Sequence, residues 1–406
     1  MGVKSGIYRF LYKAENQYID AKSRCGLTLG KYKRCKIVTP SEIGKPVCIF
    51  KPETQETVKL MRVLGFIEDG DFTLTYPEID LWRFDDSSFI GGNDFVIKED
   101  KVFWNKIGAY NFSKNIPLDR NLINYNQNNV TLRNVKVEKH FDVAFSILGV
   151  HATVWSHSLS EYFTKISILS KVLDIEKGVV KVLVPVYKDK QLKQVMYDAL
   201  NKYERIEIVP IQDGESVHAN RLYYLPRPTT FTDHETYVAI GDDVQPQIIS
   251  DIIKRELVEP LQKNAEDNSF PKRLFLIRRA THRVLTNNDE VENLFKAHGF
   301  YLLDPSKVSL EDKIKFFYNA DEIVGPFSSA FSNLIFSKPG TRVLMFSNFQ
   351  RIFENWLSMH YQHFNIDMWF VTGYDISKNN SSHTSFFIPL ESIKSACHKV
   401  GINIFN

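Results

Sequence analysis

The chain has 406 residues, 43% hydrophobic and 24% charged, which is enough for two or more packed domains and excludes a disordered tether. Its four cysteines, Cys25, Cys35, Cys48 and Cys397, show neither C-x-x-C spacing nor histidines at metal-ligand intervals, so no zinc site or disulfide framework is expected. The net charge of +3 is uneven: residues 1–37 carry nine basic and two acidic side chains, +7 against −4 for the remainder.

That basic arm, 1–37, is where an anionic partner would touch. Tyr8, Phe10, Leu11 and Tyr12 sit among its charges and suit the headgroup layer of an anionic membrane, although a merely solvated basic face fits equally. Nucleic acid is not expected, because no binding motif accompanies the charge. No secretory signal opens the chain and no apolar run reaches the ~20 residues of a membrane-spanning helix. The expected location is the cytoplasm, with peripheral contact at the inner face of the cell membrane.

Between Asp71 and Lys106, apolar and polar residues alternate around the turn signals Tyr76-Pro77, Gly91-Gly92 and Glu99-Asp100, the pattern of short antiparallel strands. From Phe141 the character changes to strand–helix alternation. VAFSILG is followed by a helix over about 158–173, VVKVLVPVY by a helix over about 190–203, then RIEIVPI. After the Pro-rich LPRPTT (225–230) the pattern restarts with a helix near 246–264, RLFLI, a helix, FYLLD, a helix, DEIVG, a short helix and TRVLMF. Two such runs predict an α/β protein of two doubly wound domains facing one cleft, with a small antiparallel region near the N-terminus. The expected organisation is a basic arm (1–37), an N-terminal domain (38–235; β-rich 71–106, α/β 141–225), a C-terminal Rossmann-like domain (236–384) and a closing strand and helix (385–406).

GPFSSAFSNLIFSKPG, starting at Gly325, reads as a phosphate cradle. Ligands of open parallel sheets sit beyond the carboxyl ends of the strands, where loops enter helix N-termini. Gly325 and Pro326 are expected to turn the chain there, and Ser328 or Ser329 to cap the next helix and leave N–H groups open to an anion. Arg278, Arg279 and Arg283 follow RLFLI at a second carboxyl end, and guanidinium groups bind phosphate bidentately. Serines that only cap, and arginines in surface ion pairs, are the competing accounts. P-loop and G-x-G-x-x-G motifs are missing, which argues against ATP hydrolysis and nicotinamide chemistry. His157 and Glu161, four apart, are expected on one helical face, where one of them could take a proton from a sugar hydroxyl or the two could form a surface pair.

The order YPEIDLWRFDDSSFIGGNDFVI, WSHSLSE, LIRRATHR and DEIVGPFSSAFSNLIFSKPGTRVLMF resembles glycosyltransferase family 61, which includes bacterial capsule-type transferases and eukaryotic xylosyl- and N-acetylglucosaminyltransferases. The likeness extends over about residues 70–400. It is most specific in the last segment, similar to G-P-H-G-A-x-L-x-N with a downstream P-G, and in the H-x-x-x-[DE] helix. The resemblance implies two Rossmann-like domains in the GT-B arrangement and transfer with inversion from a nucleotide-diphosphate sugar, a UDP-sugar first, to a glycan hydroxyl, free or lipid-linked. No metal or other cofactor is implied, and the expected setting is bacterial surface polysaccharide (capsule or lipopolysaccharide) synthesis. It assigns His157 and Glu161 to the acceptor side, and Arg278, Arg279, Gly325, Ser328, Ser329 and Asn333 to the donor side. The chain departs from the pattern at Phe327-Ser328, where the family has His-Gly, and at Met345, where many members carry glutamate. Two rival readings stay open: a nucleotide-sugar-binding protein without catalysis, and a metal-dependent transferase using Asp242 and Asp243.

Overall fold

A computed structural model describes residues 32–59, 62–66, 69–76, 78–93, 95–104, 122–125, 128–133, 136–226, 245–279, 283–348, 361–376 and 384–404. Most of the basic arm and the pair Asp242-Asp243 lie outside them. The described residues form two units, one from 32–52, 78–158 and 165–226, the other from 53–76, 159–164 and 245–404.

The first unit is built on one 11-stranded sheet. Four of its strands are mutually parallel, Val137–Ser146, Val180–Pro185, Ile206–Ile211 and Ser216–Tyr224, and lie in the spatial order third-second-first-fourth. The helix Lys190–Leu200 shows why these crossovers form. Asp189 caps it by accepting from the N–H groups of Gln191 and Leu192 (2.8 and 3.0 Å), and Leu192, Val195, Met196, Ala199 and Leu200 make one buried stripe.

The antiparallel strands expected as a small separate region instead continue this sheet. Ser216–Tyr224 pairs antiparallel with the 12-residue strand Ile79–Ile90, which leads through Phe95–Lys98 and Lys101–Trp104 to Tyr32–Val38 and Asn129–Arg133. Phe89 packs on Tyr224 with ring centroids 5.5 Å apart, across the join between the parallel and antiparallel parts. The last residues of the expected arm, 32–37, belong to a strand whose Cys35 is fully buried.

The hairpin Thr54–Lys59/Asp71–Tyr76 groups with the second unit, because three polar or backbone links hold it there. Gln247 N–H donates to Glu56 (2.8 Å), Tyr76 Oη–H donates to the Gln245 carbonyl (3.2 Å), and Val63 bridges Phe370.

The second unit carries a six-stranded sheet in the order Tyr301–Leu303, Arg273–Leu276, Glu322–Pro326, Arg342–Asn348, Asp367–Asp375, Phe386–Phe387. The first five are parallel and the last is antiparallel. In chain order the parallel strands read second-first-third-fourth-fifth, so connections leave in opposite directions from the first and third, Arg273–Leu276 and Glu322–Pro326. That reversal opens a crevice at their carboxyl ends.

Gly325 and Pro326 are the last residues of a strand, paired with Met345 and Phe346, and do not make the expected turn. Gly325 has φ +152°, and a Cβ there would stand 2.6 Å from the Leu276 carbonyl oxygen of the neighbouring strand. Only glycine lets the two backbones meet this closely. Gly325→Ala should therefore cost at least about 2 kcal/mol, read as a lower denaturant midpoint at unchanged slope.

The helix after this strand is 3-10 rather than α, over Ser329–Phe336. Its residues from Phe331 to Phe336 are all buried, so there is no solvent face, and tighter winding packs both flanks.

Candidate active site

The loop after Arg273–Leu276 and the end of Glu322–Pro326 meet at the reversal. A cavity of about 320 Å³ lies there, and Arg278, Arg279, Arg283 and Pro326 all line it. The three sequence-predicted arginines and Pro326 thus share one cavity, whereas Gly325, Ser328, Ser329 and Asn333 are not among its lining residues.

The arginines are not equivalent. Arg278 Nη1 donates to the Arg283 carbonyl at 2.7 Å, closing the loop on itself, while Arg283 takes a left-handed backbone with φ +52°. Arg279 points both terminal nitrogens at the two carboxylate oxygens of Glu292, the outer contact at 2.8 Å. Its fork is thus committed to the protein, as in the ion-pair account. Glu292 also accepts from Asn288 Nδ2 at 2.6 Å. Burial pushes the Glu292 carboxyl up, but the Arg279 and Asn288 hydrogen bonds outweigh it and hold the group below its ordinary value.

A depressed folded value sets the sign of the pH effect. The contribution is complete above the unfolded value of about 4.3 and is lost as pH falls through the lower folded value. Melting temperature recorded from about pH 6 to pH 3 should fall less steeply for Glu292→Gln than for the wild type, after starting lower at pH 6.

The cradle residues divide similarly. Ser328 is extended, with φ −158° and ψ 171°, and its Oγ accepts from Ala330 N–H at 3.3 Å, while Ser329 is exposed. Asn333 is buried and donates from Nδ2 to the Ala330 carbonyl at 2.8 Å, which locks the first helical turn. Phe327 donates its N–H to Phe346 O at 2.8 Å and packs its buried ring edge-on to Phe370 at 6.2 Å. Met345 is wholly buried. Of the departures from the family pattern, Phe327 and Met345 are buried and Ser328 is half-buried.

In the first unit the corresponding reversal lies between Val137–Ser146 and Ser216–Tyr224. The chain leaves Ser146 through 147–154 into the short helix Trp155–His157, whose His157 is half-buried. Its ring stacks on His151 with centroids 4.9 Å apart, and His151 has φ +64°. His151 carried no spacing signal in the sequence; its left-handed backbone after Gly149-Val150 is visible only in three dimensions. Ser158 braces this turn, its Oγ–H donating to the Ala152 carbonyl at 2.6 Å.

The helix does not continue in α geometry. Ser158–Tyr162 is a π turn, and the α-helix resumes at Phe163–Ile175. The wider winding replaces the α-helical geometry in which His157 and Glu161 were expected to pair four residues apart. Glu161 is fully buried in the π turn, within the stretch that groups with the second unit.

Residues 155–344 match the family model described as Glycosyltransferase 61. Over that stretch the chain is similar to glycosyltransferase family 61. The match is shorter than the likeness read from the sequence, but it includes every candidate residue from His157 to Asn333. That similarity supports a glycosyltransferase. No curated protein matches the chain. Among the described residues, no group of three or more His, Cys, Asp or Glu side chains could hold a metal ion, and no helix is long and apolar enough to cross a membrane.

Proposed function

We propose that this protein is an inverting, metal-independent glycosyltransferase of the GT-B arrangement. It moves a sugar from a nucleotide-diphosphate sugar, a UDP-sugar first, to a glycan hydroxyl in bacterial surface polysaccharide synthesis at the cytoplasmic side of the membrane. The observation that carries the reading is the cavity at the strand-order reversal of the second unit, lined by Arg278, Arg279, Arg283 and Pro326.

The second unit takes the donor. Arg278 and Arg283 supply the charge for the diphosphate, with the N–H groups at Ser328-Ser329 beside them, while Arg279 braces the loop through Glu292. The first unit takes the acceptor. His157, half-buried, is the base; Glu161, wholly buried, acts through its surroundings as a positioning residue. The acceptor oxygen forms a bond to the anomeric carbon as the carbon–oxygen bond to the diphosphate breaks. His157 takes the hydroxyl proton, and the nucleoside diphosphate leaves with the electron pair.

A binding protein without turnover is the second reading. It is favoured by one observation, the burial of Phe327 where the family has histidine. Incubating the protein with UDP-, GDP-, dTDP- and CMP-sugars, EDTA and a glycan acceptor separates the two. Product of inverted anomeric configuration by NMR supports transfer; retained configuration or a strict manganese requirement contradicts the mechanism; donor binding without product supports the second reading.

A further inference from the structure

We propose that the first unit carries a separate phosphate-binding pocket, formed by Lys45, Lys98 and Lys101, which takes the phosphate of a phosphorylated ligand. A cavity of about 310 Å³ is lined there by Lys45, Arg83, Lys98 and Lys101 against Glu42, Asp85 and Glu99. This inference does not depend on what the second unit's cavity binds.

The strand register provides the independent observation. Lys101 is the direct cross-strand partner of Lys36 on one side and of Lys98 on the other, so three ammonium-bearing residues stand in one row across adjacent strands. Like charges directly opposite one another oppose sheet formation, and a sequence free to vary would avoid two such pairs in succession.

Nearby carboxylates offset part of this charge: Glu42 lies in the field of Lys36 and Lys101, and Asp85 is shared with Arg83. Asp85 accepts from Arg83 Nε at 2.6 Å and stands 4.0 Å from Lys45 Nζ. Glu42 accepts the Thr39 N–H at 3.0 Å, closing the turn Pro40–Glu42. Glu99 occupies the hairpin corner with a left-handed φ of +52°. Among the described residues Lys36, Lys98 and Lys101 end in no ion pair within 4 Å, whereas lysine is a good point-charge ligand for phosphate. The pocket lies between the turn residues 41–44, Lys98, Glu99 and Lys101 of the hairpin, and Arg83, with a volume suited to a small anionic group.

Calorimetric titration with inorganic pyrophosphate tests the pocket in the whole protein. A Lys98→Gln/Lys101→Gln variant should lose a binding event or weaken it by about tenfold or more, while Arg278→Ala keeps it. Since the variant also removes the like-charge register, it should melt no lower than the wild type without anion. Unchanged titration in the lysine variant, no binding event that survives Arg278→Ala, or a variant that melts well below the wild type would overturn the proposal. Vesicles of phosphatidylcholine with or without phosphatidic acid identify the source. Sedimentation that needs both phosphatidic acid and the lysines assigns a lipid phosphate; pyrophosphate binding without sedimentation assigns a soluble phosphorylated ligand.

Discussion

His157→Ala should lower kcat by about 10²–10⁴-fold, the range set by removing a general base, while donor-dependent stabilisation is unchanged. The geometry behind this expectation is local to the first unit. His157 sits at the first turn after the strand Val137–Ser146, beside the reversal in strand order, and is held against the His151 ring at 4.9 Å. Glu161, four residues on, is buried in a π turn and cannot itself meet an acceptor hydroxyl as the protein stands. Turnover and donor melting shifts measured on His157→Ala separate a base from a packing residue. A variant that loses the donor shift along with activity has lost structure instead, and one that keeps full kcat removes His157 from the mechanism.

Glu322→Ala should destabilise the second unit by about 3 kcal/mol and lower its melting temperature by roughly 10 °C. Glu322 stands in register between Arg273 and Arg342 on its two neighbouring strands and is nearly buried. Arg273 Nε reaches one carboxylate oxygen at 2.7 Å and Arg342 Nη2 the other at 2.8 Å. The same arginines continue outward: Arg273 to the carbonyls of His298 (2.6 Å) and Asn403, Arg342 to the Gly401 carbonyl (2.6 Å). Taking away the carboxylate leaves two cations facing one gap, with only the carbonyls to hold them. The estimate sits at the low end of buried pairs because both arginines keep partial access to water. Calorimetric melting of the variant checks it, and a loss under about 1 kcal/mol would mean the row is ornamental to stability.

The parallel cores were legible because their strands are continuous β-branched and aliphatic runs, as in Val180–Pro185 and Glu322–Pro326, punctuated by capped amphipathic helices. Two parallel strands of these cores escaped notice for the opposite reason. Ser216–Tyr224 alternates Val217 and Ala219 with His218 and Asn220, since one face is open, and Asp367–Asp375 is interrupted by Gly373, where a Cβ would meet the Phe387 carbonyl oxygen at 2.6 Å. Without the first of these, the antiparallel region looked separate from the sheet it joins. The arginine loop and the Gly-Pro segment could be placed from the sequence because both end parallel strands. Their internal division was not: the Arg279–Glu292 pair spans 13 positions, and no local pattern distinguishes a fork spent on a carboxylate from one waiting for phosphate. The π turn at Ser158–Tyr162 is likewise invisible in residue spacing, and it sets Glu161 in a buried, wider turn than the α-helix expected there.

The central claim is that the cavity at the second unit's strand reversal binds a nucleoside diphosphate through Arg278. Thermal shift with UDP, GDP, dTDP and CMP in EDTA, comparing wild type with Arg278→Ala, tests it most directly. The account predicts that a diphosphate stabilises the wild type without metal and that Arg278→Ala abolishes the shift while melting normally by itself. An equal shift in Arg278→Ala, or stabilisation that appears only with added manganese, would contradict it.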